Sequence, residues 1–233
     1  MIQELIRNKV YLGDCLELMP GSPDKSVDMI LCDLPYGTTA CKWDTVIPFE
    51  PLWKEYKRVI KDHGAIVLTA SQPFTSALVM SNIKMFRYSL VWDKKISGNP
   101  LLAKYQPLKI HEDICVFSVN SHNYYPQMRK GKMRIKGGGK SNLFDMEMSK
   151  SRNDDYYPTS IIESSNANRG IHPTQKPVAL FEYLIKTYTN EGDLVLDNCA
   201  GSGTTGVACQ NLNRDYILIE KEPKYYDMIL KRL

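Results

Sequence analysis

The stretch from Leu194 to Cys209 restricts the fold of this chain more than its composition does. A short apolar run, Leu194-Val195-Leu196, ends in Asp197, turns through Gly201-Ser202-Gly203 and continues as Thr204-Thr205-Gly206-Val207-Ala208-Cys209. Strand, acidic residue, Gly-x-Gly turn and helix in that order make the first βα unit of a nucleotide-binding sheet. Gly201 and Gly203 leave room for a ligand beside the main chain, although a tight turn in any α/β protein reads the same way. The next apolar run, Asp215 to Glu220, is the following strand. Glu220 closes it at about the spacing where an acid binds ribose hydroxyls in dinucleotide folds. No G-x-x-x-x-G-K-[ST] is present, which removes the P-loop class.

The rest of the chain repeats the alternation. Val10-Tyr11-Leu12 is a short strand, and Asp14 stands at the turn into a helical pattern through Met19, where a helix N-cap is its simplest role. Val27 to Cys32 is an apolar run of strand length, interrupted at Asp28 and bounded by Pro35 and Gly37. Pro51 to Ile60 has helical spacing and is predicted to stop at His63-Gly64; Ala65 to Ala70 is again a strand. A helix opening near Pro73 follows, then strands over Phe86–Trp92 and His111–Val119, a helix over Val178–Tyr188, and a last helix over Pro223–Leu233. Strands alternating with helices predict a mostly parallel sheet covered on both faces.

The central apolar run delivers Asp33-Leu34-Pro35-Tyr36 to its carboxyl end, the end at which open α/β sheets bind ligands. A carboxylate, a proline and an aromatic ring held there suit attack by an amine attached to an aromatic ring. Such an amine is a poor nucleophile because its lone pair is delocalised. Asp33 accepts one N–H in this reading, and a main-chain carbonyl near Leu34 or Pro35 accepts the other. Pro35, with no N–H and a fixed φ, presents that main chain stiffly. Two acceptors orient the lone pair by preorganised electrostatics, and Tyr36 stacks on the ring. The plainer reading is a strand end and turn, with Asp33 as a cap and Tyr36 as core. In the loop that follows, Trp43 serves either substrate or packing.

With 233 residues, the chain is long enough for one large domain or a domain carrying an inserted lobe. No apolar run approaches a membrane span, and Met1-Ile2-Gln3-Glu4 does not begin a signal peptide. The six cysteines form no C-x-x-C pair and several lie in apolar runs, so reduced thiols, a cytoplasmic protein and no metal site are expected. The net charge of +4 matters less than its placement. Arg129, Lys130, Lys132, Arg134, Lys136 and Lys140 fall in a glycine-rich strip free of acids, flanked by Tyr124-Tyr125 and Tyr156-Tyr157. A solvated loop and a surface for a phosphate backbone with unstacked bases fit that strip about equally. His172-Pro173-Thr174-Gln175-Lys176-Pro177 then forms a rigid turn, since two prolines so close cannot lie inside a helix.

Taken together, Asp33 to Tyr36, the Asp197 to Thr205 glycine motif and His172 to Pro177 resemble the amino-group DNA methyltransferases of the beta arrangement. That family has an Asp/Asn/Ser-Pro-Pro-Tyr motif first, a variable basic region next and the cofactor motif near the C-terminus. The resemblance covers nearly the whole chain. It implies a circularly permuted, Rossmann-like methyltransferase fold divided into a catalytic half over 1–119, an inserted target-recognition region over 120–170 and a cofactor-binding half over 171–233. Joining the ends of the chain would give an uninterrupted β-α-β-α-β run.

The resemblance further implies S-adenosylmethionine as cofactor. Asp197, Cys199, Ala200, Gly201, Gly203 and Thr204 would line its methionine end, Glu220 would take the ribose hydroxyls, and Asp14 would take the adenine amine. Lys176, Pro177 and Asp33 would lie beside it. Asp33, Leu34, Pro35 and Tyr36 would hold the target amine, which a duplex base can present only after leaving the stack. Leu34 replaces the family's more usual proline, which a main-chain acceptor tolerates. Asn198-Cys199 stands where many members have Pro-Phe, so weaker cofactor binding is expected.

Adenine N6 in double-stranded DNA is the expected target, with cytosine N4 as the alternative, because cytosine-N4 members more often begin the tetrapeptide with serine. A restriction-modification setting and a homodimer are further implications. Cytosine C5 chemistry is not expected, since neither Cys32 nor Cys41 has the Pro-Cys setting it needs. A nicotinamide-dependent oxidoreductase would use the glycine turn and Glu220 but leave Asp33 to Tyr36 idle. A non-catalytic nucleic-acid-binding module would need only the basic strip.

Overall fold

The structure, a computed structural model, describes residues 3–38, 44–97, 100–136, 151–165 and 175–233. The described residues fall into two compact units, one made of Met1–Tyr125 with Ser160–Leu233 and one of Pro126–Thr159.

The first unit is built on an eight-stranded sheet. In chain order its elements are β1 (Lys9–Leu12), α1 (Cys15–Leu18), β2 (Val27–Asp33), α2 (Phe49–Val59), β3 (Ile60–Ala70), α3 (Phe74–Ser81), β4 (Phe86–Asp93) and β5 (His111–Phe117). After the second unit, which holds β6 (Arg129–Lys136) and β7 (Ser151–Tyr156), come β8 (Ile161–Glu163), α4 (Val178–Tyr188), β9 (Leu194–Asp197), α5 (Thr204–Asn211), β10 (Asp215–Glu220) and α6 (Pro223–Arg232). The strand order is β1-β10-β9-β2-β3-β5-β4-β8. The pairs from β1 through β3 and the β4–β8 pair are parallel; β5 runs antiparallel to both β3 and β4.

From Met29 to Cys32 the run of β2 is apolar at every position because both of its faces are covered. Ile30 and Cys32 pack on one side with Leu52, Trp53 and Tyr56 of α2 and with Phe74 and Leu78 of α3. Met29 and Leu31 pack on the other with Leu180, Phe181, Leu184 and Ile185 of α4 and with Ala208 and Cys209 of α5. The period-two alternation of a strand thus serves two separate cores. Asp28 is the exception in the run: its carboxylate pairs with Lys61 Nζ at 2.7 Å and accepts the Leu194 N–H at 3.0 Å, tying the start of β2 to the start of β9.

Numbering the strands from β9 turns the order of the first seven into 3-2-1-4-5-7-6, with the reversal between β9 and β2. The β9-α5-β10-α6 segment therefore continues into β1, which pairs with β10. This is the permuted, Rossmann-like arrangement expected from the sequence. The predicted helix stop at His63-Gly64 is displaced: α2 ends at Val59, and Gly64 lies inside β3. Its place there follows from close approach, since a Cβ on Gly64 would lie 2.8 Å from the Asp28 carbonyl oxygen and 2.6 Å from Ile60 Cδ1. The register between β2 and β3 shifts at the same place, between Val27 and Met29.

In the second unit, β6 and β7 form an antiparallel pair with Arg129 opposite Tyr156. Among the described residues no helix is long and apolar enough to cross a membrane.

Candidate active site

The reversal of strand order opens a crevice at the carboxyl ends of β9 and β2, the place where doubly wound sheets take their ligands. Asp197 ends β9 and Asp33 ends β2. A cavity of about 600 Å³ lies there, lined by residues that include Asp14, Asp33, Leu34, Pro35, Tyr36, Lys176, Cys199, Gly201 and Glu220. A smaller cavity shares Asp33, Lys176, Cys199 and Gly201 with it and adds Asp197, Ala200 and Thr204. The expected catalytic tetrapeptide and most of the expected cofactor residues therefore converge. Pro177 and Gly203 line neither cavity. Pro177 precedes the first turn of α4, and Gly203, at φ 76°, caps the start of α5, where an added Cβ would meet Ile229 at 3.0 Å.

Asp33 is held from three sides. Its Oδ1 accepts the Tyr36 hydroxyl at 2.7 Å and the Thr69 hydroxyl from β3, and its Oδ2 accepts Lys176 Nζ at 2.6 Å. Lys176 Nζ also lies 3.4 Å from Glu112 Oε2, and Glu112 Oε1 accepts Lys94 Nζ at 2.9 Å. Burial by itself lowers the pKa of the Lys176 ammonium, but Asp33 and then Glu112 outweigh it, and the pKa is raised. Burial likewise works against the Glu112 carboxylate, yet Lys176 and Lys94 hold its pKa below the usual range. Tyr36 is kept protonated by burial and by the Asp33 charge, both of which raise its pKa well above the usual value, so it remains a donor. Its ring stacks on Phe74, with centroids 5.2 Å apart, and forms a fixed wall of the cavity.

The loop after the tetrapeptide is fastened by Asp44, whose carboxylate accepts the Gly37 N–H at 2.8 Å and the Thr38 N–H at 2.9 Å. Gly37 has φ 67°, and a Cβ there would meet Val46 at 2.9 Å. Trp43, which sequence reasoning placed in this loop, lies outside the described residues.

On the β9 side, Asp197 is buried and accepts the Thr205 hydroxyl at 2.5 Å and the Cys199 N–H at 3.1 Å. Burial pushes its carboxyl up to about 7. Glu220 accepts the Gly201 N–H at 2.7 Å and the Glu222 N–H at 2.8 Å; burial raises its pKa. Asp14 is both an N-cap, accepting the Leu16 N–H at 2.9 Å, and a lining residue, with Lys221 3.0 Å from its other oxygen.

These residues fit S-adenosylmethionine, a cationic ligand with ammonium, sulfonium and ribose groups. Four acidic residues, Asp14, Asp33, Asp197 and Glu220, are among the residues that line the two cavities. Gly201, at φ 53°, lines both, and a Cβ there would project into open space with no atom nearer than the Cys199 carbonyl at 4.0 Å. Gln175 Oε1 is a buried acceptor without a hydrogen-bond partner and lines the smaller cavity. Aromatic surface missing at Asn198-Cys199 is present on Tyr225, which lines the larger one. Among the described residues no group of three or more His, Cys, Asp or Glu is arranged to hold a metal ion.

Thr69, Trp92, Lys94, Glu112, Gln175 and Tyr225 were not expected here. Their sequence signals are weak: a charged residue next to a strand end reads as solvated unless the strand's direction is known.

The basic strip is a β-strand where it is described. Lys130 pairs with Asp155 at 2.8 Å and Asp154 at 3.2 Å, Arg134 lies 4.1 Å over the Tyr156 ring, Arg129 donates to the Tyr157 carbonyl at 3.3 Å, and Lys132 is exposed. Of Lys136 only the backbone is described, and Lys140, like His172 to Thr174, lies outside the described residues.

Comparison with known proteins agrees with this geometry. Residues 27–231 match the family described as DNA methylase, the N6/N4 methyltransferases. The chain is 30% identical over 241 residues to the DNA adenine methyltransferase YhdJ of Escherichia coli, covering 95% of this chain and 81% of that one. It is 28% identical over 246 residues to the type II methyltransferase M.HpaI of Haemophilus parainfluenzae, covering 97% and 74%. Among solved structures, the M1.HpyAVI–SAM complex superposes with a TM-score of 0.66 at 25% identity, covering all of both chains. The cytosine-N4-specific PvuII DNA methyltransferase shares the fold, with a TM-score of 0.71 at 17% identity, covering 100% of this chain and 88% of that one.

Proposed function

This chain belongs to the N6/N4 DNA methylase family, and on that premise we propose that it transfers a methyl group from S-adenosylmethionine to the N6 amine of adenine in double-stranded DNA. The observation that carries the reading is the meeting of Asp33 and Asp197 at one crevice, two carboxylates separated in sequence by most of the chain. The cofactor supplies a methyl group on a sulfonium, a good electrophile that needs no covalent link to the protein. The chain supplies position.

Asp33 accepts one of the two amine hydrogens, and a main-chain carbonyl at Leu34 or Pro35 accepts the other. With Oδ1 serving two hydroxyls and Oδ2 accepting Lys176, the remaining lone pair of Asp33 is on Oδ2. Tyr36 walls the cavity beside it. Asp197 with the main chain at Cys199, Ala200 and Gly201 holds the methionine end, Glu220 the ribose, and Asp14 the adenine. The base must leave the helix to reach this crevice. The exposed basic residues of the 126–159 unit, Arg129 and Lys132 among them, contact phosphates in this reading, and DNA affinity falls with salt accordingly. The adenine relative at 30% identity favours N6 over N4. A restriction-modification role in the cytoplasm and a homodimeric state belong to the same proposal.

The test is transfer of labelled methyl to unmethylated genomic DNA, with product nucleosides separated and Asp33→Ala alongside. The expected product is N6-methyladenine, with the variant slower by about 1,000-fold or more. N4-methylcytosine would keep the mechanism and change the base. Cofactor binding without transfer to any nucleic acid would remove the reading.

A further inference from the structure

The assignments above leave Lys176, Glu112 and Lys94 without a task, although they come from three separate segments and meet beside Asp33. Lys176 lies between two carboxylates at unequal distances, 2.6 Å from Asp33 Oδ2 and 3.4 Å from Glu112 Oε2. Glu112 is fixed from its other side by Lys94 at 2.9 Å. Glu112 Oε2 is buried and makes no hydrogen bond, the longer contact to Lys176 being an ion pair only. A buried carboxylate oxygen without a bonded donor is costly and calls for an occupant. The side chain of Lys176 is only 8% exposed, against 25% for Asp33 and 16% for Glu112, so the ammonium depends on these two carboxylates.

A lysine fixed on Asp33 would hinder the reaction in two ways. It would hold one of the two lone pairs of Oδ2, the same oxygen that must take the amine hydrogen. It would also offset the negative charge of Asp33 where positive charge develops on the amine nitrogen. A second carboxylate within reach of the same ammonium lets it move off Oδ2 and farther from the Asp33 charge, which eases both obstacles.

We propose that Lys176 is a two-position side chain, bonded to Asp33 Oδ2 before the target amine arrives and shifted onto Glu112 Oε2 when the amine donates to Asp33. The inference rests on the methyltransferase reading and deepens it. Glu112 and Lys94 are positioning residues: Glu112 receives the ammonium, and Lys94 keeps Glu112 ionised and aimed. The move is short, since Nζ already lies 3.4 Å from Glu112 Oε2. Asp33, Glu112 and the Tyr36 ring, 5.7 Å from Nζ, are the groups that face Lys176; Lys94 faces Glu112.

The experiment is a double-mutant cycle on the full chain, with Glu112→Gln, Lys176→Met and the pair. Single-turnover transfer of labelled methyl from S-adenosylmethionine to unmethylated genomic DNA is measured beside cofactor affinity by equilibrium dialysis. Glu112→Gln is expected to slow transfer roughly 10- to 100-fold. Its cofactor affinity should be unchanged, and Glu112→Asp should recover part of the rate. Because Glu112 acts through Lys176, the double variant should be no slower than the slower single one. Wild-type transfer by Glu112→Gln, or losses that multiply in the double variant, would overturn the proposal.

A second measurement needs no DNA. In a lysine side-chain NMR titration, Glu112→Gln should lower the pKa of Lys176, and an unmoved pKa would overturn the ion chain itself. A lowered pKa in a protein whose wild type transfers no methyl would instead sink the methyltransferase reading, and the switch with it, while leaving the ion chain in place.

Discussion

Asp197 shows how one residue can couple cofactor binding to pH. Burial raises its carboxyl to about 7, above the 3.8 of an unburied aspartate. The folded free protein therefore holds a proton that the unfolded chain has released between those values. Its contribution to stability is complete at acid pH and is lost as the pH rises toward 7. Binding has the opposite sign. A cationic ligand selects the ionised form, so below about pH 7 the proton must leave before binding is complete. We expect the dissociation constant for S-adenosylmethionine to rise by up to about tenfold per pH unit between pH 7 and pH 5.5. In Asp197→Asn the affinity should be weaker and flat over that range. Calorimetry in two buffers of different ionisation enthalpy would detect the released proton, and equal heats in both would refute the coupling.

At the scale of elements, β3 and β5 do more than fill the sheet. β3 brings Thr69 against Asp33, and it does so at the price of a glycine where it crosses β2. Gly64→Ala should destabilise the protein by about 1–3 kcal/mol, because the added methyl must displace either main chain or the Ile60 side chain. In a domain of this size that is a fall of several degrees in melting temperature. Cofactor affinity, measured well below the transition, should be unaffected. An unchanged melting temperature would show that Ile60 and the Asp28 carbonyl give way freely. β5 contributes through its direction. Running antiparallel to β3, it carries its N-terminal residues His111, Glu112 and Asp113 to the same rim as the carboxyl ends of β2 and β3, with Ala70 opposite Asp113. β4, antiparallel to β5, returns Asp93 opposite His111 and so brings Lys94 to that rim as well.

At the scale of the whole molecule, the chain divides into a sheet unit that carries the candidate site and a small basic unit over 126–159. Replacing residues 127–158 by a flexible Gly-Ser linker should leave the sheet folded and its cofactor affinity intact, because both cores lie in the larger unit. DNA affinity should fall and lose most of its salt dependence, since each phosphate contact removed lowers the slope by about one. A linker variant that binds DNA as well as the full chain would assign the interface to the sheet unit instead.

Much of this was legible without coordinates because it follows from local periodicity. Met29 to Cys32 and Leu194 to Leu196 are apolar at every position, which already means strands covered on both faces, and their acidic ends already mean a site. The basic strip of 129–136 was not legible as a strand, because its glycine and charges read as a loop until Tyr156 and Asp155 pair with it. Nor was the helix stop at Gly64, where close packing against β2 rather than turn geometry requires the glycine. The ion chain was hidden for a deeper reason. With every strand taken as parallel, Glu112 at the start of β5 falls at the end of the sheet away from Asp33. Sequence by itself determined the strands, their order of motifs and the acids that end them, since each depends on neighbours along the chain. The direction of β5, and with it the meeting of Glu112, Lys94, Lys176 and Asp33, was decided only when distant segments paired.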